Sequence, residues 1–201
     1  MNTCILLNGP PGVGKDTIAD IIAKQYDFET VSFKHQLYIE TAKYFNVELS
    51  RFIERHNDRQ FKEIIWNELR CKPPFSEVSL STRNALIFVS ESVIKPTQGI
   101  NYFGRKAVDR CELMTATIDA THFVFSDSGF TDETITVIEA FEHVLLVHLH
   151  REGCEWGNDS RNYVEGFPNI TQKLILEEDK PELAAGMILR HFTEQILENA
   201  A

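Results

Sequence analysis

Residues Gly9-Pro-Pro-Gly-Val-Gly-Lys15-Asp16-Thr17 decide the fold of this 201-residue chain. They carry the spacing Gly-x-x-x-x-Gly-Lys between an apolar run, residues 3–8, and a helical pattern over residues 15–25. Glycines let the backbone curl, so that successive N–H groups point toward phosphate oxygens. The helix that follows adds the partial positive charge of its N-terminus. The stretch therefore predicts a phosphate-binding loop between a strand and a helix.

This loop predicts binding of a nucleoside triphosphate, with ATP and Mg²⁺ as the expected cofactors. The lysine is expected to reach the β- and γ-phosphates. The usual Ser or Thr after that lysine is an aspartate here, which shifts the expected Mg²⁺ contacts toward carboxylates acting through water. The predicted nucleotide-binding residues are Gly12, Val13, Gly14, Lys15, Asp16 and Thr17.

The rest of the chain predicts an α/β fold, a parallel sheet with helices on both faces and right-handed crossovers. Strands are expected at 3–8, 28–33, 122–126, 143–150 and 170–176, and core helices at 15–25, 131–140 and 181–198. A helical insertion of about residues 34–119 is expected between the second and third strands, with helices at 34–45, 58–69, 82–94 and 102–113. The core of a single domain would then comprise residues 1–33 and 120–201.

Composition excludes some functions. The formal net charge of −10 argues against binding to a nucleic-acid backbone, which relies on clustered Lys and Arg. No apolar run approaches the roughly 20 residues that a membrane-spanning helix needs. Four scattered cysteines and an N-terminus without a basic region favour a cytoplasmic protein. We expect small-molecule nucleotides as partners, neither nucleic acid nor membrane, and leave a homodimer open.

Several motifs resemble the phage-type deoxynucleoside monophosphate kinases, a family of P-loop nucleoside monophosphate kinases. The stretch Gly14-Lys-Asp-Thr-Ile-Ala-Asp20 is similar to the loop of that family. Further similar stretches follow in the same order along the chain: Phe33-x-x-x-Leu37, Lys62-Glu63 before Ser81-Thr-Arg-Asn-Ala-Leu86, Ser126-Asp-Ser-Gly-Phe130 with Glu133, and Arg151. Two positions depart from the pattern, because Gly129 stands where the family usually has arginine and Tyr38 where it has lysine.

The resemblance implies transfer of the γ-phosphate of ATP to a deoxynucleoside monophosphate or nucleoside monophosphate, giving the diphosphate. The insertion would then bind the acceptor and exclude water by closing. Phe33, Lys34 and Arg83 are the expected acceptor-binding residues. Arg83 near a helix start could bind a phosphate in a bidentate manner, or could be a solvated surface arginine.

Asp127, Arg151 and Arg161, which follow the third and fourth predicted strands, complete the expected site. Asp127 follows an apolar strand, and carboxyl ends of parallel strands gather ligands, so it is expected to bind Mg²⁺ together with Asp16. Its alternative role is to cap the next helix. Arg151 and Arg161 flank a polar, glycine-containing loop and are expected, with Lys15, to stabilise the transferring phosphoryl group. Asp159 is expected to orient an arginine.

Two other functions remain open on sequence grounds. A P-loop kinase for another small phosphorylated metabolite would share the donor loop. A nucleotide-binding protein without turnover is the second alternative, because Asp16 and Gly129 depart from common patterns. Dependence of ADP release on a nucleoside monophosphate would separate the first function from a kinase for another metabolite, and tight ATP binding with no acceptor-dependent turnover would favour the protein without turnover.

Overall fold

The computed structural model describes residues 2–157 and 159–199, which form two compact units. The first comprises residues up to Phe33 together with Gly104 onward, and the second comprises Lys34–Phe103. The insertion was expected to end near residue 119. Residues 104–118 instead belong to the first unit, because Ala107 and Cys111 are buried in its core.

A five-stranded parallel sheet forms the centre of the first unit. Its strands are β1 (Thr3–Asn8), β2 (Glu29–Val31), β5 (His122–Ser128), β6 (His143–His150) and β7 (Thr171–Ile175), in the spatial order β2-β5-β1-β6-β7. Every residue of β1 is buried between β5 and β6. A central parallel strand covered on both faces reads as a continuous apolar run, which is why the sequence predicted it.

Helices cover both faces of this sheet, which confirms the predicted fold class. On one face α1 (Lys15–Tyr26) and α8 (Pro181–Asn199) pack on alternate strand residues. These strand residues are Ile5, Leu7, Val124, Leu145, Val147 and Leu149. On the other face α6 (Tyr102–Ile118) and α7 (Thr131–Ala140) pack on Cys4, Leu6, Phe123, Phe125, Val144 and Leu146. The alternation follows from the two-residue period of a strand.

The second unit has its own core and combines helices with a small antiparallel pair of strands. Its helices are α2 (Phe33–Phe45), which begins at the last residue of the first unit, α3 (Leu49–Asn57), α4 (Thr82–Phe88) and α5 (Lys95–Gln98). A π-helical segment, Val89–Ile94, joins the last two. Strands β3 (Ile65–Arg70) and β4 (Ser79–Ser81) pair antiparallel. The buried residues include Phe45, Phe52, Trp66, Leu69, Leu86 and Val89.

The prediction of a helix over residues 58–69 was wrong. Residues 59–63 form turns, and β3 follows at Ile65. Trp66 and Leu69 are both buried and lie three positions apart, which mimics helical spacing. The register of the β3–β4 pair shifts between Trp66 and Arg70, so a strand can bury both.

Helix α3 was absent from the prediction. Its N-cap is Glu48, whose carboxylate accepts hydrogen bonds from the backbone N–H groups of Ser50 and Arg51 at 2.9 and 2.7 Å. Glutamate is not among the preferred N-cap residues, so the sequence offered no ordinary start signal here. The burial of Phe52 on the inner face then fixes the helix in the core of the second unit.

Helices α6 and α7 approach closely at Gly104. A Cβ atom at this position would lie 2.6 Å from the Glu133 carbonyl oxygen and 2.9 Å from Glu133 Cα. We expect Gly104→Ala to destabilise the protein by about 1–3 kcal/mol, because backbone atoms cannot yield as a side chain can. Gly186→Ala in α8 is the matched control, since nothing lies within 4 Å of the added atom.

The control variant should stabilise the protein by roughly 0.5–1 kcal/mol, because alanine loses less conformational entropy in a helix than glycine does. Urea unfolding of both variants measures the two free energies. Equal stabilisation by both substitutions would contradict the close approach of α6 to α7.

No helix within residues 2–157 and 159–199 is long and apolar enough to span a membrane.

Candidate functional site

The predicted phosphate-binding loop lies between β1 and α1, the context that its mechanism requires. Gly12 and Gly14 have φ angles of 80° and 105°, in the left-handed region that glycine adopts without strain. Gly9 is needed for a different reason, because a Cβ there would lie 2.8 Å from the Leu149 carbonyl oxygen of β6. The three glycines thus allow a tight curl close to the neighbouring strand.

Lys15 is the first residue of α1 and is 8% exposed. Its Nζ donates hydrogen bonds to the carbonyl oxygens of Gly9 and Pro10, at 2.5 and 2.8 Å. The ammonium group is therefore folded over the loop rather than extended into solvent. The N-cap residue of α1 is Gly14, which has no side chain that could accept hydrogen bonds from the first N–H groups of the helix. Such groups carry the partial positive charge that attracts anions.

The remaining predicted nucleotide-binding residues have mixed exposure. Val13 is buried against the core, whereas the side chains of Asp16 and Thr17 are exposed in the first turn of α1. A carboxylate at this position is favoured by the helix dipole. The exposed side chains of Asp16 and Thr17 therefore place oxygen atoms next to the glycine loop.

Asp127 lies near the end of β5 and is 6% exposed. One of its carboxylate oxygens accepts a hydrogen bond from the Ser32 hydroxyl at 2.7 Å, and the other from the Phe33 backbone N–H at 3.0 Å. These contacts tie the end of β5 to Ser32 and Phe33, the two residues that follow β2. Capping of α7, the alternative considered from sequence, is not what the structure shows.

Arg151 directly follows β6 and reaches the phosphate-binding loop. Its guanidinium donates a hydrogen bond to the Gly12 carbonyl oxygen at 2.6 Å. Since β6 is the neighbour of β1, the carboxyl ends of both strands meet at one edge of the sheet. The arginine is thus in contact with the predicted phosphate-binding loop.

Arg161 is held by a two-point ion pair with Asp159. Its Nε and one terminal nitrogen donate to the two carboxylate oxygens at 2.9 and 2.8 Å. The two side chains are only 22% and 12% exposed, so this pair is better shielded than an ordinary surface pair. The hydrogen bonds that Arg161 donates to Asp159 raise the pKa of Arg161, and the negative charges of Asp159, Asp127 and Asp16 act in the same direction. The guanidinium therefore remains charged near both carboxylates.

The stem of Arg161 lies directly against Gly129. A Cβ atom on Gly129 would be 2.8 Å from Arg161 Cβ and 3.0 Å from its Cδ. The Asn162 backbone N–H also donates to the Gly129 carbonyl oxygen at 3.1 Å. The sequence lacks an arginine at position 129, and in the structure an arginine from a later segment occupies the space beside it.

Asn8, a residue that the sequence analysis did not select, fixes the segment that carries Arg161. It is completely buried at the end of β1. Its side-chain N–H₂ donates to the carbonyl oxygens of Ser128 and Asn162, and its side-chain oxygen accepts from the Val164 N–H at 2.8 Å. One amide thereby joins β1, β5 and the 162–164 segment. The sequence signal that could have identified it is a polar residue at the end of an apolar strand, immediately before Gly9.

The predicted metal ligands offer the chemistry that Mg²⁺ prefers, since both are carboxylates. Among the residues that the structure describes, however, no group of three or more His, Cys, Asp or Glu side chains could hold a metal ion. Mg²⁺ commonly keeps several waters and binds one or two carboxylates together with substrate phosphates. Asp127 and Asp16 have the carboxylate groups that this mode of binding needs. The described residues do not offer a metal site built from protein ligands alone.

The predicted acceptor-binding residues lie in three different environments. Phe33 is 5% exposed and packs on Phe125 with ring centroids 5.3 Å apart, so its contact with a substrate base has no support in this packing. Lys34 is half-buried in the second unit. Arg83 is exposed in the first turn of α4, where it forms an ion pair with Glu63 at 3.1 Å.

No protein-family model matches the chain, and no curated protein matches it. Solved structures do match, including an unliganded sugar kinase from Janibacter sp. HTCC2649, with 12% identity over 94% of this chain and 93% of that chain and a TM-score of 0.48. A dephospho-CoA kinase from Campylobacter jejuni shows 10% identity over 96% and 98% of the two chains and a TM-score of 0.44. The fold class itself rests on the strand order and the two helical layers: this is a parallel α/β protein with a glycine-rich loop between β1 and α1.

Proposed function

We propose that this chain is an ATP-dependent phosphotransferase that moves the γ-phosphoryl group of ATP to a nucleoside monophosphate or deoxynucleoside monophosphate. The observation that carries this proposal is the curled glycine loop between β1 and α1, with Lys15 folded over it. Arg151 and Arg161 lie near this loop and Asp127, and two such cations support transfer of a phosphoryl group rather than simple binding of a nucleotide. The resemblance of several motifs to phage-type deoxynucleoside monophosphate kinases supports the nature of the acceptor.

Each residue of the site has a role in this proposal. Lys15 would exchange its two carbonyl partners for β- and γ-phosphate oxygens, while the N–H groups at the start of α1 orient the triphosphate. Arg151, already in contact with Gly12, would bind the γ-phosphate from the β6 side. Arg161, fixed by Asp159, would stabilise charge that develops on the phosphoryl group during transfer.

The carboxylates of Asp127 and Asp16 would hold Mg²⁺ through water, and Arg161 lies within the electrostatic field of both. When bound, Mg²⁺ neutralises part of the charge on the phosphate oxygens. Phosphoryl transfer requires little covalent chemistry from the protein, so orientation and electrostatics of these residues account for the expected rate.

Acceptor-dependent release of ADP tests the proposal. We expect that the protein with Mg-ATP releases ADP rapidly only when one of the common nucleoside or deoxynucleoside monophosphates is added, and that it forms the matching diphosphate. Each monophosphate is assayed separately, with inorganic phosphate and a sugar phosphate as matched non-nucleotide acceptors. Turnover with the sugar phosphate alone would replace the proposed acceptor, and tight ATP binding with no acceptor-dependent turnover would overturn a transfer function.

A further inference from the structure

Three cationic residues of the second unit act on one histidine, and one of them, Lys34, lies one helical turn before Tyr38, whose ring centroid is 5.5 Å from that of His56. The positive charges of Lys34 in α2, Lys62 in the turn before β3 and Arg83 in α4 all act electrostatically on His56 in α3. We call these four residues the His56 cluster. Such a concentration of positive charge is unusual in a chain whose formal net charge is −10.

A backbone contact joins two of the residues that carry these cations, Lys62 and Arg83. The Lys62 carbonyl oxygen accepts hydrogen bonds from the Arg83 N–H and from the Thr82 hydroxyl, both at 3.2 Å. The acidic residue with a resolved influence on His56 is Glu63, which already pairs with Arg83. That pair is about half exposed and contributes little stability. The backbones of Lys62 and Arg83 are therefore adjacent, and the Arg83–Glu63 ion pair adds little to stability.

His56 itself is partly buried among aromatic rings. Its imidazole lies nearly parallel to the Phe52 ring, with centroids 6.4 Å apart, and 5.5 Å from the Tyr38 ring. Burial, followed by the positive charges of Lys34, Lys62 and Arg83, lowers the pKa of His56 to about 4. The imidazole is therefore neutral at neutral pH. Its Nδ1 is buried and makes no hydrogen bond to any residue that the structure describes.

We propose that the His56 cluster is a binding site for a phosphate monoester dianion and that His56 takes up a proton when the anion binds. The inference deepens the proposed function and rests on it for the identity of the molecule that carries the phosphate. Arg83 supplies a planar donor pair suited to phosphate oxygens, and Lys34 and Lys62 supply point charges. Lys62 and His56 are added here to the predicted acceptor residues.

Linkage gives the sign of the pH effect. A nearby dianion favours the charged imidazole and so raises the pKa of His56 from its value in the free protein. Binding then consumes a proton between the two pKa values, and affinity for the anion increases as the pH falls through that interval. Well above the higher pKa, His56 makes no contribution to this dependence.

Imidazole resonances of the full-length protein measure this directly. We expect saturating sulfate to raise the pKa of His56 by at least about 1. Sulfate is chosen because its own charge does not change over the range, whereas a phosphate monoester loses its second proton near pH 6. A deoxynucleoside monophosphate is the second probe. The His56→Gln variant assigns the resonance among the seven histidines.

Two lysine variants make a matched pair. Lys62→Gln is expected to weaken binding of the monophosphate by about tenfold, the equivalent of one charge-assisted contact. Lys72→Gln removes the same charge from an exposed lysine of the same unit outside the cluster and should leave affinity unchanged. A His56 pKa that does not respond to either anion, or equal affinities for the two lysine variants, would overturn the inference.

The P-loop variant Lys15→Ala separates this inference from the proposed function. The His56 response should persist in that variant, because Lys15 lies in the first unit. A preserved response with no acceptor-dependent turnover in the unmodified protein would reject the kinase activity and retain the anion site. Acceptor-dependent turnover without any change in the His56 pKa would retain the kinase activity and reject the anion site.

Discussion

Replacing Lys15 by alanine is expected to reduce kcat/KM for acceptor-dependent ADP release by at least about a thousandfold, because the variant loses the ammonium group that would contact the β- and γ-phosphates. The fold should survive. The side chain makes hydrogen bonds to the Gly9 and Pro10 carbonyl oxygens, and loss of such contacts typically costs about 1–3 kcal/mol. Coupled ADP detection measures the activity, and thermal unfolding measures the stability.

Lys24→Ala is the matched control for this variant. Lys24 is exposed in the last turn of the same helix, α1, and its removal changes the net charge equally. It should retain normal turnover. A Lys15→Ala protein that remains folded and turns over like the control would show that the donor nucleotide binds elsewhere.

Replacing Arg161 by alanine is expected to reduce kcat by about a hundredfold or more, with a smaller effect on affinity for ATP. The guanidinium is fixed by Asp159 near the carboxylates of Asp127 and Asp16, so its charge is available to the transferring group without prior ordering. Arg161→Lys should recover little, because lysine keeps the charge but cannot form the two-point contact with Asp159. Steady-state kinetics with varied ATP separate kcat from KM.

Two further variants complete this test. Arg190→Ala removes an exposed arginine that pairs with Glu194 on α8, and should be neutral. Gly129→Ala keeps Arg161 but places a methyl group 2.8 Å from its Cβ, so an intermediate loss of kcat is expected. If Arg161→Ala and Arg190→Ala have equal kcat, Arg161 stabilises no charge during transfer.

The sequence predicted the core of the first unit well because its signals are local. Strand β6 and helix α7 have the predicted bounds, His143–His150 and Thr131–Ala140. The glycine spacing placed the loop between β1 and α1. Buried parallel strands are continuous apolar runs, and the helices between them have clear apolar faces, so neither depends on long-range information.

The second unit was less predictable for physical reasons. Strand β3 buries Trp66 and Leu69 through a register shift in its pairing with β4, and that pairing is not visible in either segment alone. Helix α3 begins at an unusual cap, Glu48. The predicted helix over residues 82–94 is real in its first half, but continues as a π-helical segment before α5.

Parts of the candidate site depend on tertiary contacts that no motif encodes. Arg161 was selected because it flanks a polar loop, but its position against Gly129 follows from the buried amide of Asn8. Convergence of Lys62 with Arg83 on His56 requires the turn before β3 to meet the start of α4. Residues distant in sequence come together there only after the second unit has folded.

A crystal structure of the protein with Mg²⁺ and a non-hydrolysable ATP analogue would show whether the glycine loop holds the triphosphate. We expect the triphosphate in the curl formed by Gly9 to Lys15, with the lysine ammonium moved from the Gly9 and Pro10 carbonyl oxygens to the β- and γ-phosphates. A triphosphate bound at another place, with Lys15 still on those two carbonyl oxygens at saturating nucleotide, would contradict this expectation.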